Sequence, residues 1–374
     1  MTQPTNNGRS KPKNALPTRF GNLGSVKDAA KRKKLKRLLR KAGFVKRSGH
    51  ALDELLEDII LAICTGSEGT LEAMHNSRDL AIGCVASNAT LNRVYGYASE
   101  EKVAHAMRSL LPGFRRKKSS IWIIDATFLH VHGKKFERAA YGYDSNEGKI
   151  NRGYLLVNVI EMGSRKPIHW KLLPGNASEM TVFQQILIEA MESSGEKPQI
   201  VVFDRGYVSK ENLRFLDEQG ILWVSQADAN IKVSDSNRTR TPKEWFEYYE
   251  MGGSRKVYWK EYGSLLIVKD ERIENDKLID WRVLIGSPGL HPSRIITLYE
   301  KRWDIEEYHK QLRAVGLNEL PTGKFVGLQL HVLLVVLAYL LLHCVERILQ
   351  CIGKSVETII RAICVAALIV LKPS

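Results

Sequence analysis

Two short apolar segments each run without interruption into an aspartate. Ile121-Trp122-Ile123-Ile124 ends at Asp125, and Ile200-Val201-Val202-Phe203 ends at Asp204. A run with no polar member is the pattern of a strand buried on both faces, which belongs to a parallel or mixed sheet covered by helices. An ionised carboxylate at the tip of such a strand is costly unless a cation pairs with it. A metal ion held between two strand-borne carboxylates would account for both residues. The competing explanation is that each Asp caps the turn after its strand, a common role for Asp.

A third acid lies on a helix. Pro292-Ser293 is a start signal, and Arg294 to Leu312 follows without Gly or Pro, so the spacing predicts one continuous helix. At about 100° per residue, Tyr299, Arg302, Glu306 and Arg313 share a stripe roughly 60° wide, with Lys310 beside it. Leu298, Ile305 and Leu312 fall on another face, suited to packing. Glu306 is therefore flanked by guanidinium groups on a face not assigned to the core. A solvated charged face is the alternative for such a stripe.

Together, Asp125-Ala126-Thr127, Asp204-Arg205-Gly206-Tyr207 and Tyr299-x2-Arg302-x3-Glu306-x6-Arg313 resemble the signature of bacterial insertion-sequence DDE transposases. The resemblance spans roughly residues 118 to 345, with the motifs in the family's order. It is to the branch whose Tyr-Arg-Glu-Lys helix carries the third carboxylate. Arg313 departs from that pattern by replacing a Lys, exchanging a flexible point donor for a planar fork. The fold class implied is α/β (α+β), a ribonuclease-H-like mixed sheet flanked by helices, with a helical N-terminal DNA-binding region and a β-rich insertion. Strands followed by alternating helix and strand agree with this, although composition and order alone reach only α/β or α+β.

The resemblance also implies a chemistry. Asp125, Asp204 and Glu306 would be catalytic and would bind two Mg²⁺ (or Mn²⁺) ions, hard cations that prefer oxygen ligands. Asp125 would bridge the ions, and Thr127 would support it. Arg302, Lys310 and Arg313 would pair with phosphates. Tyr299 would position a phosphate or pack beneath the acid, and Arg205 and Tyr207 would support the site or contact DNA. The partners implied are double-stranded transposon-end and target DNA and a second copy of the chain in a homodimer. Two alternatives carry different outcomes: a related nuclease that does not join strands, and a non-catalytic DNA-binding derivative.

Charge locates a second feature. Of the net charge of +15, residues 1–50 carry +14, with 15 Lys plus Arg against the single acid Asp28. The densest stretch holds Lys31, Arg32, Lys33, Lys34, Lys36 and Arg37. Such an arm suits a polyanion contacted through its phosphates, while a solvated tail is the plain alternative. The expected organisation is a basic, partly disordered arm over 1–50 and a helical DNA-binding region over 51–117, compatible with a helix-turn-helix. The catalytic core follows over 118–228 and 290–350, interrupted by a β-rich insertion over 229–289, and a short C-terminal helix covers 351–374.

Five cysteines without a CxxC pair read as reduced core thiols. The apolar run from Val332 to Leu342 reads as a buried core helix rather than a bilayer span. A cytoplasmic, nucleoid-associated protein without membrane attachment is expected.

Overall fold

In the computed structural model, which describes residues 28–31, 33–45, 51–64, 93–114, 119–145, 147–235, 238–247, 253–260, 262–274 and 277–349, the period-two segments from Ile121 onward build one sheet. The chain divides into two compact units, one of residues 99–313 and 322–330, the other of residues 1–98, 314–321 and 331–374.

The first of these carries the sheet. Its opening strands are β1 (Ile121–His130), β2 (Ala140–Asp144), β3 (Lys149–Glu161) and β4 (Lys166–Pro174). They form an antiparallel meander in which β2 and β4 share one edge of the long β3 and β1 takes the other. The chain then alternates, and two strands, β5 (Ile200–Phe203) and β6 (Leu222–Gln226), add in parallel beyond β1. An antiparallel meander with two parallel strands beside its first strand is the ribonuclease-H-like order that the resemblance implies. All four β5 residues are buried, as an all-apolar run requires.

A helix packs Phe183, Ile186, Leu187 and Ala190 inward along Glu179–Ser194. A shorter one, Lys210–Glu218, is capped by Ser209, whose hydroxyl accepts from the Asn212 N–H at 3.1 Å.

The insertion is β-rich as expected, with β7 (Val233–Asp235), β8 (Arg238–Arg240), β9 (Ser254–Trp259), β10 (Gly263–Glu274) and β11 (Lys277–Gly286). It does not stand apart from the core. Strand β11 pairs antiparallel with β6, so core and insertion form one eleven-stranded sheet. Their side chains also share one hydrophobic cluster, with Trp122 and Phe203 from the core and Trp245, Trp259 and Ile267 from the insertion. Trp245 and Trp259 are thus core residues. Trp281 is only half-buried, with the Lys269 ammonium 5.0 Å from its ring centre.

Residues 99–114 fall in the same compact unit as the sheet. The helix Glu100–Leu110 leads into a 3₁₀ turn ending at Phe114, whose carbonyl accepts from Lys166 Nζ on β4 at 2.5 Å.

In the other unit, the described part of the basic segment includes helix. We label Leu35–Lys41 helix α1 and Leu52–Cys64 helix α2; α1 buries Leu35 and Leu39. Arg40 pairs with Asp53 at 2.8 Å, and Lys36 with Glu57 at 3.3 Å. Leu52, Leu55, Leu56, Ile59 and Ile63, picked out by helical spacing, are all buried. Among the basic residues, Lys31, Lys34, Lys36 and Arg37 are exposed and Lys33 is half-buried, while Arg32 lies outside the described residues. Residues 1–27, most of the candidate helix-turn-helix segment and the C-terminal helix at 351–374 also lie outside them.

The apolar run Val332–Leu342 lies in a helix of 25 residues, Phe325–Leu349, longer than the run itself. Its Phe325–Cys344 stretch is long and apolar enough to cross a bilayer. Leu330 and every residue from Val332 to Leu342 are nonetheless buried within the protein. A helix that is apolar all round and buried all round is a core helix.

Candidate active site

Strand register brings the two aspartates together. Strand β1 pairs in parallel with β5 from Ile121 opposite Ile200 to Ile124 opposite Phe203. Asp125 and Asp204 are the next residue on each chain, so they stand at neighbouring strand positions, about 4.8 Å apart in backbone spacing. Asp204 Oδ1 accepts from the Arg205 N–H at 2.7 Å, and Asp125 Oδ1 from the Ala126 N–H at 2.9 Å. The capping reading of Asp204 is therefore correct in geometry, and it leaves the other carboxylate oxygen free to act elsewhere. On the other side of β1, Asn158 of β3 is opposite Asp125 and shares its sheet face. The Asn158 amide lies 3.0 Å from His309 Nε2. Burial, with Arg313 and Arg302 nearby, lowers the His309 pKa to about 3, so the ring is neutral and accepts this bond.

The third acid arrives on a helix that breaks. The continuous helix expected from Arg294 to Leu312 is two, Pro292–Glu300 and Trp303–Ala314. No Gly or Pro causes the break. The backbone shifts to tighter bonds, with Arg302 N–H donating to the Tyr299 carbonyl and Asp304 N–H to that of Lys301, each at 3.0 Å. Asp304 then anchors the second segment to the β3–β4 turn, accepting from Gly163 N–H at 2.8 Å and Arg165 Nε at 3.0 Å. This tertiary anchor is what redirects the chain. The packing stripe survives it: Leu298, Ile305 and Leu312 are all buried.

At the break the motif residues converge. Arg302 Nη1 is 3.4 Å from Asp125 Oδ2, and its Nη2 donates to Glu306 Oε1. The Tyr299 hydroxyl lies 3.2 Å from both Asp204 Oδ1 and Gln226 Oε1. Asp125, Asp204 and Glu306 are thus joined through one guanidinium and one phenol.

The charge balance on the sheet side is unfavourable. Burial pushes the Asp125 carboxyl up to about 7; Arg302 opposes this, while Glu179 and Asp204 add to it. Glu179, at the start of its helix, is raised to about 7 by burial and then by Asp204. It is the acid that sequence reasoning missed. Gln226, Asn158 and His309 were missed too, since their roles depend on partners distant along the chain.

Two tyrosines proposed as DNA contacts are not at the surface. Tyr207 is 0% exposed and packs with Phe183 and Phe203, at ring separations of 5.7 and 6.5 Å. Tyr299 is 3% exposed, with only its hydroxyl reaching the acids. Their aromatic bodies belong to the core, for Tyr299 the second of the two readings its motif allowed. Arg205 and Lys310 are exposed. Arg313 is half-buried and donates to the Thr127 hydroxyl, so it supports the strand that carries Asp125.

The transposase DDE domain family matches residues 116–341, more than half of the chain and all three motifs. The chain belongs to that family.

Among solved structures, the piggyBac transposase synaptic complex with hairpin DNA is similar in fold. The TM-score is 0.50 at 12% identity, covering 93% of this chain and 80% of that one. The Drosophila P element transposase strand transfer complex matches at a TM-score of 0.26 and 15% identity, over 60% of this chain and 55% of that one. No curated protein sequence matches. The mixed α/β sheet of the transposase agrees with its family.

DDE transposases as a family use divalent metals, and the acids here fit such ions. The donors are carboxylate oxygens, the ligands hard cations prefer. Asp125 has like charges beside it, and among the described residues the one cation it pairs with is the Arg302 guanidinium, which also pairs with Glu306. Among the described residues no three acids or histidines already form a closed metal-binding group. The separation between Asp125 and Glu306 is spanned by Arg302 itself.

Proposed function

We propose that this transposase cleaves transposon-end DNA and joins it to target DNA using Mg²⁺ or Mn²⁺ ions held by Asp125, Asp204 and Glu306. Arg302 carries the proposal. It touches Glu306 four residues away and Asp125, 177 residues away in sequence, while Tyr299 of the same motif touches Asp204. Acids so far apart in the chain meet at one point, and that convergence supports a shared chemical task. When bound, such ions lower the pKa of an attacking oxygen and stabilise a leaving 3′ oxygen.

The chain's own residues do the rest. Asp125 and Asp204 are fixed by backbone N–H donors on rigid strand ends. Tyr299 orients Asp204. Arg302 and Arg313 offer forked donors suited to phosphate oxygens, and the exposed Arg205 and Lys310 offer further positive charge. The exposed Lys31, Lys34, Lys36 and Arg37 would contact phosphates without reading sequence, together with Lys33 and Arg32. Bringing two transposon ends together calls for a homodimer.

Asp125→Asn, Asp204→Asn and Glu306→Gln should each lower Mg²⁺-dependent cleavage of transposon-end DNA by more than about 100-fold. DNA retention in a gel-shift assay should persist. Native-like cleavage by all three variants would refute the site. A joining assay with pre-cleaved ends separates a transposase from a nuclease, which yields no joined product.

A further inference from the structure

Glu179 is the acid that a three-carboxylate site leaves unexplained. It opens its helix five residues after β4 ends, and its carboxylate reaches the turn that follows Asp204. A Cβ placed on Gly206 would stand 3.0 Å from Glu179 Oε2. Gly206 is not among the residues with positive φ, so its backbone conformation does not demand glycine. A side chain there would crowd the end of Glu179, whose carboxylate would have to give by a few tenths of an ångström.

Among the described residues, the charged groups resolved beside Glu179 are the acids Asp204 and Asp125, and no cation is resolved there. A second polar group in the same place is unpaired as well. Tyr207 is fully buried, its hydroxyl has no hydrogen-bond partner, and the charges of Glu179, Asp125 and Asp204 all act on it. Arg302 is already engaged with Asp125 and Glu306. An unpaired, mostly buried carboxylate facing two others marks a site that expects a cation from outside.

We propose that Glu179 is a fourth acidic ligand of the site, binding with Asp204 the divalent cation on that side, and that residue 206 is glycine to leave its carboxylate room. This rests on the metal-dependent reading above. The plain alternative is that Glu179 serves its own helix, as an acid in a first turn stabilised by the helix dipole. In that case its charge would matter to folding and not to cation affinity.

The test is calorimetric titration of the full chain with Mn²⁺ alone, on the native protein and on Glu179→Gln, Gly206→Ala, Asp204→Asn and the Glu179→Gln/Gly206→Ala double variant. Thermal unfolding run alongside confirms that each is folded. Glu179→Gln should weaken Mn²⁺ binding about 10- to 100-fold. Gly206→Ala should weaken it in the same direction without altering any acid. The double variant should be no weaker than Glu179→Gln, because both changes remove one interaction. Native affinity in Glu179→Gln with binding lost in Asp204→Asn would overturn the role of Glu179 and leave the three-carboxylate site standing. Native affinity in both would overturn the two proposals together. Should Glu179→Gln fail to fold, Gly206→Ala decides alone, and unchanged affinity there refutes the proposal.

Discussion

Asp125 and Glu306 both touch Arg302, yet they meet it under opposite conditions. Glu306 sits four residues after Arg302 on the next helical turn, with 33% of its side chain exposed. Its counter-charge comes with its own segment. Asp125 is carried by a buried strand, 16% exposed, and its acidic neighbours Glu179 and Asp204 are fixed by other elements. A sheet can deliver acids to a place where water cannot solvate them, whereas a helix surface tends to supply the balancing cation locally. The helix side of the site is close to neutral on its own. The sheet side is held in readiness for positive charge.

The largest effect expected from this contrast is one of sign. In the cation-free protein at about pH 8, Asp125→Asn should stabilise the fold by roughly 1–4 kcal/mol, since it removes a buried charge that lacks a full partner. Glu306→Gln should destabilise it by up to about 1 kcal/mol, the worth of a partly exposed ion pair. Urea unfolding of both variants checks this, and shifts in the same direction would erase the distinction.

A smaller effect should appear with pH. Asp125 and Glu179 titrate at about 7 in the folded chain, above the ordinary carboxylate range of the unfolded one. A carboxyl with a raised folded pKa favours the fold while protonated, and that contribution is lost as pH rises through the folded value. The melting temperature of the cation-free protein should therefore fall between about pH 5 and about pH 8. Millimolar Mg²⁺ should flatten the profile. A flat profile without the cation would show that the sheet-side acids are not under strain.

The smallest effect belongs to Tyr299→Phe, which removes the 3.2 Å contact to Asp204. It should cost about 1 kcal/mol in urea unfolding. A loss several times larger would mean that the phenol holds the two sides of the site together, and that they are not independent.

Much of the site was legible because its motifs coincide with backbone register. Two apolar runs ending in Asp were readable as strands with acidic tips, and the parallel register of Ile121 with Ile200 is what makes those tips neighbours. The packing stripe Leu298, Ile305 and Leu312 was legible for the same reason, since periodicity reports a face. The helix break at Arg302 was not, because it arises from Asp304 anchoring to Gly163 and Arg165 across the fold. Nor was the continuity of the insertion with the core. A strand's apolar alternation shows that it pairs, but not with which neighbour.

By itself the amino-acid order determined which acids and cations exist and which of them end strands or line helices. Only the tertiary structure decided which aromatic residues lie beneath the site, where the signature helix bends, and that Glu179 stands beside Asp204. Local pattern follows from backbone geometry within a few residues. Electrostatic environment depends on what distant segments bring within a few ångströms.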